Sequence, residues 1–261
     1  MPVMNESSDQ PGSVSRISPP SERVLVLGAT GGIGTALVEV LAARGASLVL
    51  AARNADKLDM LAARVGGSVR AFDATDLDRV LAEIGAAAAE APLTGIALCV
   101  GAILLKPAHR TSASEWADVV ARNLTTAFGV VRAAGQHLGA GASVVLVSSA
   151  AARLGLANHE AIAATKAGVE GLVRSAAATY ARKGVRFNAV APGLVRTPLA
   201  GALATDPKLI EASAKMHALG RIGEPGDVAR ALAFLLDPAQ SWVTGQVLGI
   251  DGGLATVRLA V

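Results

Sequence analysis

From residue 23 onward, short β-branched and aliphatic runs alternate with longer Ala- and Leu-rich stretches, and this alternation constrains the fold more than any other feature of the chain. The runs at 23–27, 47–51, 68–72, 95–100, 143–147, 185–191 and 246–250 predict strands. The stretches at 32–44, 55–65, 76–88, 114–138, 159–182 and 226–236 predict helices, with a helical lid region near 207–219. Parallel neighbours need a crossover between them, usually a helix, so strict alternation implies a parallel sheet with helices on both faces. The expectation is one α/β domain over residues 22–261, built on a doubly wound parallel sheet of about seven strands.

Composition narrows the functional classes. Hydrophobic residues make up 52% of the chain and aromatic residues 3%, which suits an aliphatic core and argues against recognition by aromatic stacking. The net charge is only +3 and the basic residues are scattered, so no surface that tracks nucleic-acid phosphates is expected. The one cysteine, Cys99, excludes an internal disulfide and fits a reducing compartment. No stretch is apolar over eighteen residues without a charge or turn signal, so no membrane span is expected. Residues 1–21 are rich in Ser, Pro and Asn and lack the basic start and apolar run of a signal peptide. They are expected to form a disordered extension, and the cytoplasm is the expected location. No metal site is expected.

The segment Gly28-Ala29-Thr30-Gly31-Gly32-Ile33-Gly34 joins the first expected strand to the first expected helix. Gly28 permits a tight turn there. Gly32 and Gly34 let backbone approach a pyrophosphate and let the helix pack close to the sheet, while the helix N-terminus offers free N–H groups. A P-loop is excluded because no Gly-Lys-Ser/Thr follows. Arg53 follows the second strand, where the adenosine ribose of a dinucleotide lies in such a fold. With Ala52 ahead of it in place of an acid, Arg53 suits a 2′-phosphate through a charge-assisted bond, and its other reading is a solvated arginine at a strand end. The cofactor expected is therefore NADP(H) rather than NAD(H).

The spacing Gly-xxx-Gly-x-Gly, the surroundings of Lys166, the pair Pro192-Gly193 and the run Asp251-Gly252-Gly253 together resemble the short-chain dehydrogenase/reductase family over about residues 23–254. The resemblance implies a Rossmann-type fold and hydride transfer between a nicotinamide cofactor and a small molecule. It assigns the phosphate loop to Gly28, Gly32, Ile33 and Gly34, with Leu27 replacing the family's threonine. It gives Asp73 the adenine amino group, although a turn or cap role fits that residue as well. Gly101 would let the nicotinamide ribose approach the backbone, within a Leu98-Cys99-Val100-Gly101 run where the family usually has Asn-Asn-Ala-Gly. Pro192, Gly193, backbone near Val195 and the Thr197 hydroxyl would hold carboxamide and phosphate.

The family's reaction uses Asn, Ser, Tyr and Lys. Asn123 matches the helical asparagine that bends its helix and anchors water to the lysine. Ser149 lies thirteen residues before position 162, at the family's serine–tyrosine spacing, with Ser148 as a competitor. Lys166 matches the lysine that binds ribose and lowers the pKa of a neighbouring acid. The tyrosine is absent, for Ile162 stands four residues before Lys166. The only tyrosine, Tyr180, lies fourteen residues beyond Lys166, about 21 Å along one helix. A divergent branch that includes enoyl-thioester reductases places its tyrosine seven residues before the lysine, where this chain has His159. His159 and Lys166 share one helical face about 10.5 Å apart. Histidine can donate a proton near neutral pH, so His159 is a candidate acid; Glu160 is a second, and a water held by Lys166 a third.

Two functions stand side by side on these residues. One is an NADP(H)-dependent reductase of a carbonyl or conjugated enone or enoyl substrate, with a hydrophobic or acyl substrate suggested by the apolar 199–219 segment. The other is a nucleotide-binding sensor, or a structural subunit, that has lost catalysis. The helices at 114–138 and 159–182 carry apolar residues on more than one face, as buried helices do; the resemblance implies that they pair across a two-fold axis and that the C-terminal 245–261 adds another contact, giving a homotetramer.

Overall fold

Seven strands form a single parallel sheet in the order β3-β2-β1-β4-β5-β6-β7 in the computed structural model, which describes residues 22–258. The extension expected over 1–21 lies outside the described residues. The strands are β1 (Arg23–Leu27), β2 (Ser47–Ala52), β3 (Ser68–Ala71), β4 (Gly95–Leu98), β5 (Ser143–Val147), β6 (Arg186–Pro192) and β7 (Val247–Ile250). The helices are α1 (Gly32–Ala43), α2 (Ala55–Val65), α3 (Leu77–Glu90), α4 (Ala113–Val120), α5 (Thr126–His137), α6 (Glu160–Tyr180), α7 (Pro207–Met216) and α8 (Pro225–Leu236). Among the described residues no helix is long and apolar enough to cross a membrane.

The pleat divides the core in two. Val24, Val26, Leu48, Leu50, Ala97 and Val145 face one side and pack with apolar residues of α1 and α8. Leu25, Leu27, Val49, Ile96, Val144 and Leu146 face the other and pack with α3, α5 and α6. Because both faces are covered, the central strands are apolar at consecutive positions rather than at alternate ones.

Several expected boundaries move. β3 stops at Ala71 and β4 at Leu98, before 72 and 100, because the chain leaves the sheet there to border a crevice. The helix expected over 114–138 is interrupted by a π turn at Ala121–Thr125, which separates α4 from α5. Such turns insert one extra residue and occur often at functional sites. Asn158, two residues ahead of α6, takes a left-handed φ of 63°. His159 occupies the capping position and makes no side-chain cap. Tyr180, at the far end of α6, stacks obliquely on Phe187 with ring centroids 5.4 Å apart. It belongs to the core and borders neither of the cavities next to Lys166 and Ser149.

Candidate active site

The chain runs from β1 to β3 in one direction and from β4 to β7 in the other, so the strand order reverses between β1 and β4. In open α/β sheets, ligands bind at the carboxyl ends of the strands beside that reversal. A crevice of about 300 Å³ opens there, lined by Gly28, Gly31, Arg53, Asp73, Gly101 and Arg122 among others. Gly28 has a φ of 80°, and a side chain on it would come within 2.8 Å of the Cys99 carbonyl carbon. The α1 N-terminus begins at Gly32 without a side-chain cap, leaving its first N–H groups for a ligand. A side chain on Gly34 would strike the Gly28 carbonyl, so this glycine lets the start of α1 pack close against the loop. Gly32 lies against the Thr197 side chain and joins the loop to the segment after β6. Ile33 lines the neighbouring cavity beside Lys166.

Arg53 is exposed at the crevice rim and makes no ion pair with the described residues. Lys57, which the sequence reading did not single out, lines the same rim. Asp73 accepts hydrogen bonds from the Thr75 N–H at 2.9 Å and hydroxyl at 2.8 Å. The Thr75 backbone bond, helped by Arg53 and Arg122, holds its carboxyl below the ordinary range. Its turn role is therefore present, while it also borders the crevice.

Below the crevice lie Asn123, Gly101 and Lys166. Asn123 sits in the π turn, 1% exposed. Its Oδ1 accepts from the Ala102 N–H at 2.9 Å, and its Nδ2 donates to the Ala102 carbonyl at 3.1 Å. A side chain on Gly101 would come within 3.0 Å of Asn123 Oδ1 and 3.5 Å of Lys166 Nζ, so only glycine leaves this pair undisturbed. Lys166 donates from Nζ to the Val147 carbonyl at 2.7 Å. Burial pushes its pKa down to about 8. The Cys99 thiol nearby is pushed up to about 12 by burial, which makes it a poor nucleophile.

The two serines separate. Ser148 is buried and its Oγ donates to Glu170 at 3.0 Å, which Arg153 grips on its other side. Ser149 accepts the Ala151 N–H and borders two adjoining cavities. The first, about 120 Å³, also has Lys166, Asn123, Ile162, Val195 and Thr197 in its wall. The second, about 170 Å³, lies under the lid and is lined by His159, Ile162, Leu156, Met216 and His217. Pro192 and Gly193, at the end of β6, border both. His159 therefore shares a cavity with Ser149 and Ile162 but does not border the one next to Lys166. Its Nδ1 lies 2.8 Å from the Ala157 carbonyl. A carbonyl only accepts, so Nδ1 carries hydrogen and Nε2 is the atom left for a substrate. Glu160, the second candidate, lines neither reaction cavity and borders a separate hollow with Trp116. His217 and Glu170 escaped the sequence reading, since a lone histidine in a lid and a glutamate within a helix carry no spacing signal.

A family model described as Enoyl-(Acyl carrier protein) reductase matches residues 28–255. The chain is 39% identical over 248 residues to cis-4-hydroxycyclohexanecarboxylate dehydrogenase of Sinomonas cyclohexanicum, with 91% of this chain and 98% of that one covered. It is 38% identical over 238 residues to galactitol 2-dehydrogenase of Cereibacter sphaeroides, with 87% and 92% covered. A short-chain type dehydrogenase/reductase from Mycobacterium ulcerans superposes with a TM-score of 0.85 at 33% identity, covering 91% and 90% of the two chains. A gluconate 5-dehydrogenase from Burkholderia cenocepacia, solved in complex with NADP and tartrate, gives 0.85 at 28% identity, covering 91% and 96%. The chain belongs to the short-chain dehydrogenase/reductase family and is an oxidoreductase of that family.

Proposed function

We propose that the protein is an NADP(H)-dependent reductase of a hydrophobic substrate carrying a carbonyl or a conjugated double bond, working without the usual tyrosine. The observation that carries this reading is the assembly of Asn123, Gly101, Lys166 and Ser149 around one cavity at the foot of the nucleotide crevice. The crevice fits the cofactor: the left-handed turn at Gly28 lets the β1–α1 loop form its wall, the α1 N-terminus is uncapped, and Arg53 and Lys57 stand at the rim. Its relative with NADP bound supports the same choice. A reduced nicotinamide bound there supplies the hydride. Lys166 would hold the ribose, and Pro192, Gly193, Val195 and Thr197 the carboxamide and phosphate.

The remaining chemistry falls to side chains of this protein. Ser149 keeps a hydroxyl proton to donate to the substrate oxygen, because its bond to Ala151 uses it only as an acceptor. Ile162 cannot give a proton. His159 in its charged form can donate from Nε2, and a water held by Lys166 is the other source. The apolar wall of Leu156, Ile162 and Met216 favours an uncharged, hydrophobic substrate. NADPH oxidation measured over a panel of ketones, enones and enoyl thioesters tests this reading; tight NADPH binding with no turnover on any of them defeats it.

Ile162 supports a second reading, in which the protein binds nucleotide as a sensor or subunit. That reading predicts the tight binding without turnover just described.

A further inference from the structure

His217 follows α7, a lid helix none of whose residues is buried, and yet the histidine itself is only 4% exposed. Its Nδ1 lies 2.7 Å from the Ser213 carbonyl, which can only accept, so Nδ1 carries the hydrogen. Nε2 is then an acceptor, and it takes the Leu194 N–H at 3.2 Å. The ring reaches that N–H because the preceding residue is glycine: a side chain on Gly193 would come within 2.6 Å of Nε2. A second tie runs from the Leu219 N–H to the Gly252 carbonyl at 3.0 Å. One imidazole thus joins the end of the lid to the Pro192-Gly193-Leu194 turn, and that turn borders both cavities around Ser149.

We infer that His217 is a positioning residue, whose neutral ring fixes the lid against the turn and so sets the wall that the substrate meets. The part concerning substrate rests on the reductase reading; the part concerning the lid does not. A second proton would turn Nε2 into a donor facing another donor, and the bond to Leu194 would be lost. The charged or titratable groups around the ring make their hydrogen bonds to other partners. Asp251, after β7, accepts the Gly253 and Ala255 N–H groups. Asp227, in α8, binds Arg221 and Arg230. On α7, Lys215 pairs with Glu211. His159 borders the same cavity and bonds to Ala157. None of them supplies an acceptor to a charged His217.

The test compares His217→Leu, which loses the acceptor, with His217→Gln, whose amide oxygen keeps one. Lys208 and Lys215 are exposed lid residues, so trypsin reads lid attachment without any need for turnover. The leucine variant is expected to be cut there about tenfold faster than the wild type, the scale of one lost bond to a buried donor. Its KM for the carbonyl or enone substrate should rise by a similar factor with kcat little changed, and glutamine should restore both. Should the leucine variant not fold, Gly193→Ala still decides: its added carbon would come within 2.6 Å of Nε2 and displace the ring from the Leu194 N–H, so cleavage should rise by the same factor, and an unchanged rate overturns the assignment. Cleavage of the leucine variant at the wild-type rate, glutamine as damaging as leucine, or an unchanged KM in an active leucine variant each overturns the assignment.

Discussion

Ile162 and Ser149 border the same two cavities, whereas His159 borders only the lid-side one and Lys166 only the other. In this arrangement the hydrocarbon occupies the place between the candidate acid and the lysine that would tune it. A proton from His159 must reach the substrate oxygen from the lid side.

His159→Ala is accordingly expected to lower kcat for an activated enone by about 10²–10⁴-fold, the range of a positioned general acid. Stopped-flow NADPH oxidation measures it. A fall of less than about threefold would move the proton source to a lysine-bound water, and Lys166→Ala should then abolish turnover.

An enolate needs less stabilisation from a nearby acid than an alkoxide does. Enone reduction should therefore exceed ketone reduction in the natural chain, and Ile162→Tyr should narrow the gap by raising the ketone rate. Ratios of kcat/KM for a matched enone and ketone, before and after the substitution, check this. A ketone rate that the tyrosine leaves unchanged would count against the arrangement.

Arg53 is exposed at the crevice rim and pairs with no described acid, so its guanidinium is available to a 2′-phosphate. Arg53→Ala should weaken NADPH binding by about tenfold or more, since a charged hydrogen bond contributes roughly 1.5–3 kcal/mol. NADH binding should hardly move. Equal losses in fluorescence titrations of the two nucleotides would show that Arg53 does not read the phosphate.

Much of this was legible in the chain. The β/α alternation announced the seven-stranded parallel sheet, because each crossover leaves a long Ala- and Leu-rich stretch between short β-branched ones. The glycine loop could be placed because it joins a strand end to a helix start, whereas Asn123, Ser149 and Lys166 stood out only through the family resemblance; the structure brings these three to one cavity. The π turn at Ala121–Thr125 was not legible, since a helical period gives no sign of one inserted residue. That Gly34 packs against the carbonyl of Gly28 in its own loop is set by three-dimensional closure, which the spacing of the glycines does not reveal. Ser148 and Ser149 could be told apart only once Glu170 was seen beneath the first of them. His217 acts through a backbone N–H twenty-three residues earlier, which no local pattern encodes.

Assembly can be checked directly. Phe128 and Trp116 are 50% and 45% exposed on the α4–α5 side, and Trp242 is 98% exposed just ahead of β7. Large apolar side chains on two surfaces fit two kinds of subunit contact. Light scattering at micromolar concentration should give the mass of four protomers, and a stable monomer would sink the homotetramer.

Lys166 should cost the ligand-free protein stability. Burial lowers its pKa from 10.5 to about 8. Between those values the unfolded chain binds more protons than the folded one, so stability rises with pH across that window. Below about pH 8 the whole penalty remains, on the order of 3 kcal/mol at 1.36 kcal/mol per unit. Lys166→Met removes the charge but leaves the Val147 carbonyl without its 2.7 Å charged partner, a loss of about 2 kcal/mol. The net expectation at pH 7 is a gain of roughly 1 kcal/mol in the variant, shrinking as the pH approaches 10.5. Urea midpoints of both proteins at neutral and alkaline pH measure the difference directly, and taking it between the two chains cancels every other titration. A variant no more stable than the wild type at pH 7, or a gap that stays constant with pH, would mean that the ammonium is better solvated than its burial implies.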